Sequence, residues 1–149
     1  MNLSCHQYAL AEIISVISCG VLFMIGLLTG VWKYYHIMNT PNHQAPIYVN
    51  IAHRAALMYA FACLILKEFV RWSTLSDTIE FFATGVPIFF FLTAVMTYIY
   101  LGFSNHTDNQ FEKRNLITTW GMYFLILGEI GGFGTLLFSA LKNITFNIL

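Results

Sequence analysis

Charge is the scarcest property of this 149-residue chain: Asp, Glu, Lys and Arg make up 9% of it, against roughly 25% in an ordinary soluble domain. So few charges cannot clothe a water-soluble globule of this size. The seven basic and seven acidic residues cancel, so the basic footprint that a nucleic-acid partner requires is missing, and no such partner is expected. Disorder is excluded as well, because disordered chains are polar and highly charged. Cysteine is sparse: Cys5, Cys19 and Cys63 are an odd set without CxxC or zinc-type spacing, and no disulfide framework is read from them. The N-terminal stretch MNLSCHQYALAEIIS has no basic region ahead of its apolar run, so no cleaved signal peptide is expected.

What the chain has instead is apolar mass. It is 58% hydrophobic and 17% aromatic, with a mean hydropathy of +0.67. The solvent implied is a bilayer. A helix needs about 20 apolar residues to cross roughly 30 Å of hydrocarbon. Ile13 to Trp32 is uncharged over 20 residues and Phe81 to Thr107 over 27, which gives spans near 10–34 and 80–103. Only 12 uncharged residues separate Arg54 from Lys67, about 18 Å of helix. The second span therefore runs over about 49–72, with both cations snorkelling toward opposite interfaces. A fourth span covers 116–141 and carries Glu129 at its centre. Asn39-Thr40-Pro41-Asn42, Ser73 to Asp77 and Ser104 to Asn109 punctuate the connections. The expected fold is all-α: an integral membrane antiparallel four-helix bundle forming one domain over 1–149.

Four crossings dictate which segments share a side. Loops 35–48 and 104–115 fall on one side, loop 73–79 and both termini on the other. Trp32, Tyr34, Tyr35, Tyr48, Tyr98, Tyr100 and Trp120 form an aromatic belt at the first side, and Trp72 lies at the second. Lys33, Arg54, Lys113 and Arg114 lie nearest the first side; Lys67, Arg71 and Lys142 lie nearest the second. The positive-inside rule then leans toward non-cytoplasmic termini.

Several residues carry potential chemistry. His36, His43, His53 and His106 all fall on the first side with Asp108 and Glu112, and imidazole with carboxylate suits a transition metal or haem iron; interfacial loops that simply tolerate histidine are the plainer explanation. Arg54, beside His53, has the chemistry to hold a phosphate or carboxylate with Lys33, Lys113 or Arg114, or else it anchors the helix among headgroups. Glu129 sits near the midplane, where an isolated carboxylate is expected to be neutral because a charge there is desolvated. Matched depths put Tyr59 and Thr93 at its level as hydrogen-bond partners, and it reads either as a proton-relay acid or as polar glue between helices. Gly26-xxx-Gly30 and Gly128-xxx-Gly132 are close-packing patterns that serve equally within one chain or between copies. Glu68 and Arg71 are spaced to pair locally on the helix surface.

The stretch from Trp32 to Phe61, WKYYHIMNTPNHQAPIYVNIAHRAALMYAF, resembles the first connection and second helix of the membrane-associated eicosanoid and glutathione metabolism family. Lys33, Pro41, Pro46, His53-Arg54 and Tyr59 occupy the corresponding positions, over about a fifth of the chain. The resemblance implies four membrane helices and a transferase acting on a lipophilic substrate. The family's Asn-x-x-Glu pair reads Ala55 and Met58 here. Its late third-helix arginine, which would lower a thiol pKa, falls in Thr97-Tyr98-Ile99-Tyr100.

Three functional classes remain open at this level. The first is a non-enzymatic membrane subunit or helix-packing partner, associating with itself or with another membrane subunit. The second is an interfacial enzyme with His53 as acid/base, Arg54 as anion holder and Tyr59 as hydrogen-bond donor. The third is a metal- or haem-binding protein using the four first-side histidines. No particular cofactor is singled out.

Overall fold

The computed structural model describes residues 9–107, 109–110 and 116–148. The expectations placed on Cys5, Asp108, Glu112, Lys113 and Arg114 lie outside these residues. Four helices account for almost all of the described chain: α1 (Leu10–Asn39), α2 (Ile47–Trp72), α3 (Asp77–Ser104) and α4 (Leu116–Ile148). There is no strand among the described residues. Each helix is long and apolar enough to cross a membrane. The uncharged runs locate the helices, but the helices outlast them. α1 continues to Asn39 and α4 to Ile148, because a helix needs satisfied backbone hydrogen bonds and not uniform hydrophobicity.

The breaks fall at the punctuation. Thr40 is extended and closes α1, with Pro41 following. Ser73 closes α2 and Ser76 opens α3. Asn105 ends α3 in the left-handed conformation, φ 46°, which asparagine tolerates better than most residues.

α2 and α3 form the middle of the assembly, and α1 and α4 lie on its two flanks without touching each other among the described residues. The largest interface is α1 on α2. Its cause is visible in α2, whose buried positions Val49, Ala52, Ala56, Ala60, Cys63, Leu66 and Val70 recur every three or four residues along one face. Alanine at three successive turns brings the α2 backbone close to its neighbours. On α1, Gly26 receives Leu57 and Gly30 receives the His53 ring. A β-carbon on either glycine would stand 2.5 Å from Leu57 Cδ2 or 2.9 Å from His53 Cε1.

The second glycine pair serves α3 and α4. A β-carbon on Gly128 would strike Phe90 and Val86 at 2.4 and 2.9 Å. One on Gly132 would lie 2.6 Å from the Ala83 carbonyl oxygen and 2.7 Å from Pro87 Cγ. Pro87 has no N–H to give the Ala83 carbonyl, so that oxygen lacks its usual helical donor. The bare Gly132 backbone packs against this gap. Both GxxxG patterns are thus filled from within the chain.

At the opposite end, Ser139 of α4 ties down the α2–α3 turn. Its Oγ accepts from the Thr74 N–H at 3.0 Å and lies 3.2 Å from Ser73 Oγ. Asn143 Nδ2 donates to the Trp72 carbonyl at 3.0 Å.

A candidate anion site where α1 meets α2

The chain turns from α1 into α2 through residues 40–46, and this turn is internally bonded. The Thr40 hydroxyl lies between the His36 and Gln44 carbonyls, at 2.8 and 2.9 Å. His43 has φ 52°, in the left-handed region where histidine is enriched. Its Nδ1 lies 3.1 Å from the Ile37 carbonyl. A carbonyl can only accept, so the proton of that bond sits on Nδ1. The turn thereby places His43 over the end of α1, beside Lys33 and the first turns of α2.

The result is a hollow of about 580 Å³ whose lining includes Lys33, His43, Gln44, Asn50, Ile51 and Arg54. No carboxylate lines it among the described residues. Asn50 adds a carboxamide oxygen that is buried without a hydrogen-bond partner among the described residues. Such groups are few in folded proteins and commonly await a water or a ligand. Chemically, this is a basin for an anion. A guanidinium fork grips two oxygens at once, and an ammonium adds a point charge.

A second hollow of about 250 Å³ adjoins it, lined by Ile51, Arg54, Ala55, Met58, Tyr59 and Tyr98. Ile51 and Arg54 line both hollows. Apart from Arg54 and two tyrosine hydroxyls this lining is apolar. Its aromatic walls are braced from behind: Tyr59 stacks on Phe91 at 4.3 Å and Tyr98 on Tyr48 at 6.2 Å between ring centroids.

His53 and Arg54, adjacent in sequence, do different things. The His53 Nδ1–H donates to the Gly26 carbonyl at 2.8 Å across the α1–α2 interface, with the imidazole seated on Gly30. The same carbonyl also accepts from the Thr29 hydroxyl at 3.0 Å. His53 therefore fastens one helix to another. Arg54, about 100° further round α2, is exposed and lines both hollows.

The four first-side histidines are not gathered. His36 lies between the rings of Trp32 and Tyr35, 5.9 and 6.0 Å away. His43 caps α1, His53 binds Gly26, and His106 is exposed beyond the end of α3. No three His, Cys, Asp or Glu side chains stand together as a metal site among the described residues.

Glu129 faces the interior of the assembly within electrostatic reach of Tyr59 and Tyr98. Its Oε1 is buried and has no hydrogen-bond partner among the described residues. Thr93, the other residue matched to it by depth, is exposed and donates to the Phe90 carbonyl at 3.0 Å. Glu68 and Arg71 form the pair their spacing predicts, at 3.2 Å with both side chains half-exposed.

The sequence points to Arg54, Lys33 and Tyr59 for chemistry; Ala55, Met58 and Tyr98 are noted there without a site role, and Ile51 is not singled out. Ile51, Ala55 and Met58 recur at the helical spacing i, i+4, i+7, which is a legible stripe. Tyr98 is 39 positions from Tyr59, and only packing brings the two together. Comparison with known proteins yields no relative: no family model matches the chain, and no curated protein or solved structure is similar to it.

Proposed function

We propose that the chain is an integral membrane protein that crosses the bilayer four times as an antiparallel bundle, both termini on one side, and that it acts as a non-enzymatic subunit binding an anion at one rim. The observation that carries the binding role is the convergence of the Lys33 and Arg54 cations, with His43 beside them, on a single hollow that no carboxylate lines among the described residues. The membrane placement is supported by four apolar helices whose outward faces carry large side chains such as Val31, Phe103 and Phe138, each about 70% exposed (68%, 72% and 73%). A surface of that kind is matched to hydrocarbon rather than water.

A binding role fits the residues better than catalysis. The proposed acid/base, His53, has one ring nitrogen committed to the Gly26 carbonyl. Tyr59 lines the adjoining hollow, but no serine, cysteine, lysine or carboxylate lines it among the described residues. The interfacial-enzyme reading keeps one supporting observation, the apolar hollow itself, which has room for part of a lipophilic substrate.

The test is binding of glycerol phosphate to the protein in a neutral detergent, followed by NMR or calorimetry. Saturable binding that weakens at least tenfold in Lys33→Gln and in Arg54→Gln is expected, since a charge-assisted hydrogen bond contributes about 1.5–3 kcal/mol. Equal binding by both variants and the parent would overturn the proposal. Sidedness is tested by an impermeant maleimide on cysteines introduced singly at His43, His106 and Thr74, with the first two labelled together and the third from the opposite side.

A further inference from the structure

We infer that the ligand of the Lys33–Arg54 basin is an amphiphile, an anionic head with an alkyl chain, and that its chain lies along α2 in the hollow bounded by Ile51, Ala55, Met58 and Tyr98. The inference rests on the anion-binding reading above and specifies the ligand class for the same site.

Continuity is the first argument. The basic hollow and the apolar hollow are not separate cavities on separate faces, because Ile51 and Arg54 belong to both. A ligand whose charged end reaches Arg54 from the basin has its other end at the mouth of the apolar hollow. From Ile51 to Met58 that hollow follows about 10 Å of α2, the reach of a short stretch of alkyl chain.

Chemical complementarity is the second. The basin offers a guanidinium and an ammonium, which suit a phosphate or carboxylate head. The adjoining hollow offers a methyl, a thioether, a branched aliphatic and aromatic walls, which make dispersion contacts with methylenes. A free phosphate would leave the second hollow without a role, and a neutral lipid would leave the Lys33 and Arg54 cations without one. Only a molecule with both parts uses both.

The third argument is how the groove is kept open. Ala55 places no more than a methyl group on its floor. Tyr59 and Tyr98 are each held by a stacked neighbour, Phe91 and Tyr48, so their rings are braced as walls. Little side-chain ordering is then needed when a chain enters, and that lowers the entropic cost of binding.

The experiment uses the whole protein in neutral-lipid nanodiscs with a long-chain alkyl phosphate carrying a mid-chain diazirine, the adducts being mapped by peptide mass spectrometry. Adducts confined to residues 51–59 and to Tyr98 are expected, and excess inorganic phosphate should reduce them by competing for the head. Met58→Trp fills the groove from an exposed position, 68% accessible, where the fold tolerates the change. That variant should lose most of the adduct, at least fivefold. Adducts spread over all four helices and unaffected by Met58→Trp, with glycerol phosphate binding intact, would overturn the amphiphile inference alone. Indifference of both ligands to Lys33→Gln and Arg54→Gln would instead overturn the anion-binding reading beneath it.

Discussion

Gly132 offers a direct test of how α3 and α4 are held together. Replacing it with alanine puts a methyl group 2.6 Å from the Ala83 carbonyl oxygen and 2.7 and 2.9 Å from Pro87 Cγ and Cδ. None of these atoms is the loose end of a flexible side chain. One belongs to the backbone and two to a ring closed onto it, so relief requires the helices to part. Overpacking of this kind costs about 1–3 kcal/mol, and a rigid obstacle belongs in the upper half of that range. Alanine also returns about 1 kcal/mol of helix propensity relative to glycine, which would blur a single measurement. Gly134 supplies the control: it lies on the same helix with nothing within 4 Å of a new β-carbon. Gly134→Ala should collect the propensity gain without the clash. The two variants should therefore differ by about 2–3 kcal/mol, read as the difference in unfolding free energy in mixed micelles. In a Pro87→Ala background the ring is gone and the Ala83 carbonyl regains an N–H donor, so the Gly132→Ala penalty should shrink measurably. If Gly132→Ala and Gly134→Ala prove equally stable, the close approach described here is wrong.

Two further perturbations address the residues singled out for chemistry. His53→Ala removes the donor to the Gly26 carbonyl, and a lost interhelical hydrogen bond with its packing should cost about 1–2 kcal/mol of stability while glycerol phosphate binding stays within twofold of the parent; a variant that folds normally but no longer binds would place His53 in the site instead. Glu129→Gln exchanges a side chain whose Oε1 has no partner among the described residues, so thermal unfolding in detergent should change by no more than about 0.5 kcal/mol. A loss above about 2 kcal/mol would reveal a hydrogen bond that depends on the carboxyl group, with Tyr59 or Tyr98 as its partner.

Much of the architecture was legible before any coordinates. The uncharged runs from Ile13 and from Phe81 mark α1 and α3, because a low charge density over about 20 residues has few other physical meanings. Thr40-Pro41, Ser73 and Asn105 end helices for local reasons: a residue preceding proline resists the helical region, and asparagine accepts a left-handed turn. Arg54 also stood out, since a cation so close to an apolar run demands an explanation. Its neighbour His53 was conspicuous beside it, yet nothing in the amino-acid order shows that it spans the interface to Gly26, 27 positions earlier.

By itself, then, the amino-acid order determined the number of helices, roughly where each lies and the breaks between them, and the poverty of charge that leaves each apolar enough to cross a membrane. These are local or compositional properties, readable one window at a time. The packing decided everything that depends on pairs. A GxxxG pattern looks the same whether it meets a second copy or its own chain, and only the fold assigns Gly26 and Gly30 to α2 and Gly132 to the gap left by Pro87. Lys33 and Arg54 are 21 positions apart, and no period links them. They share a basin because the bonded turn at Thr40 and His43 folds the start of α2 back beside the end of α1.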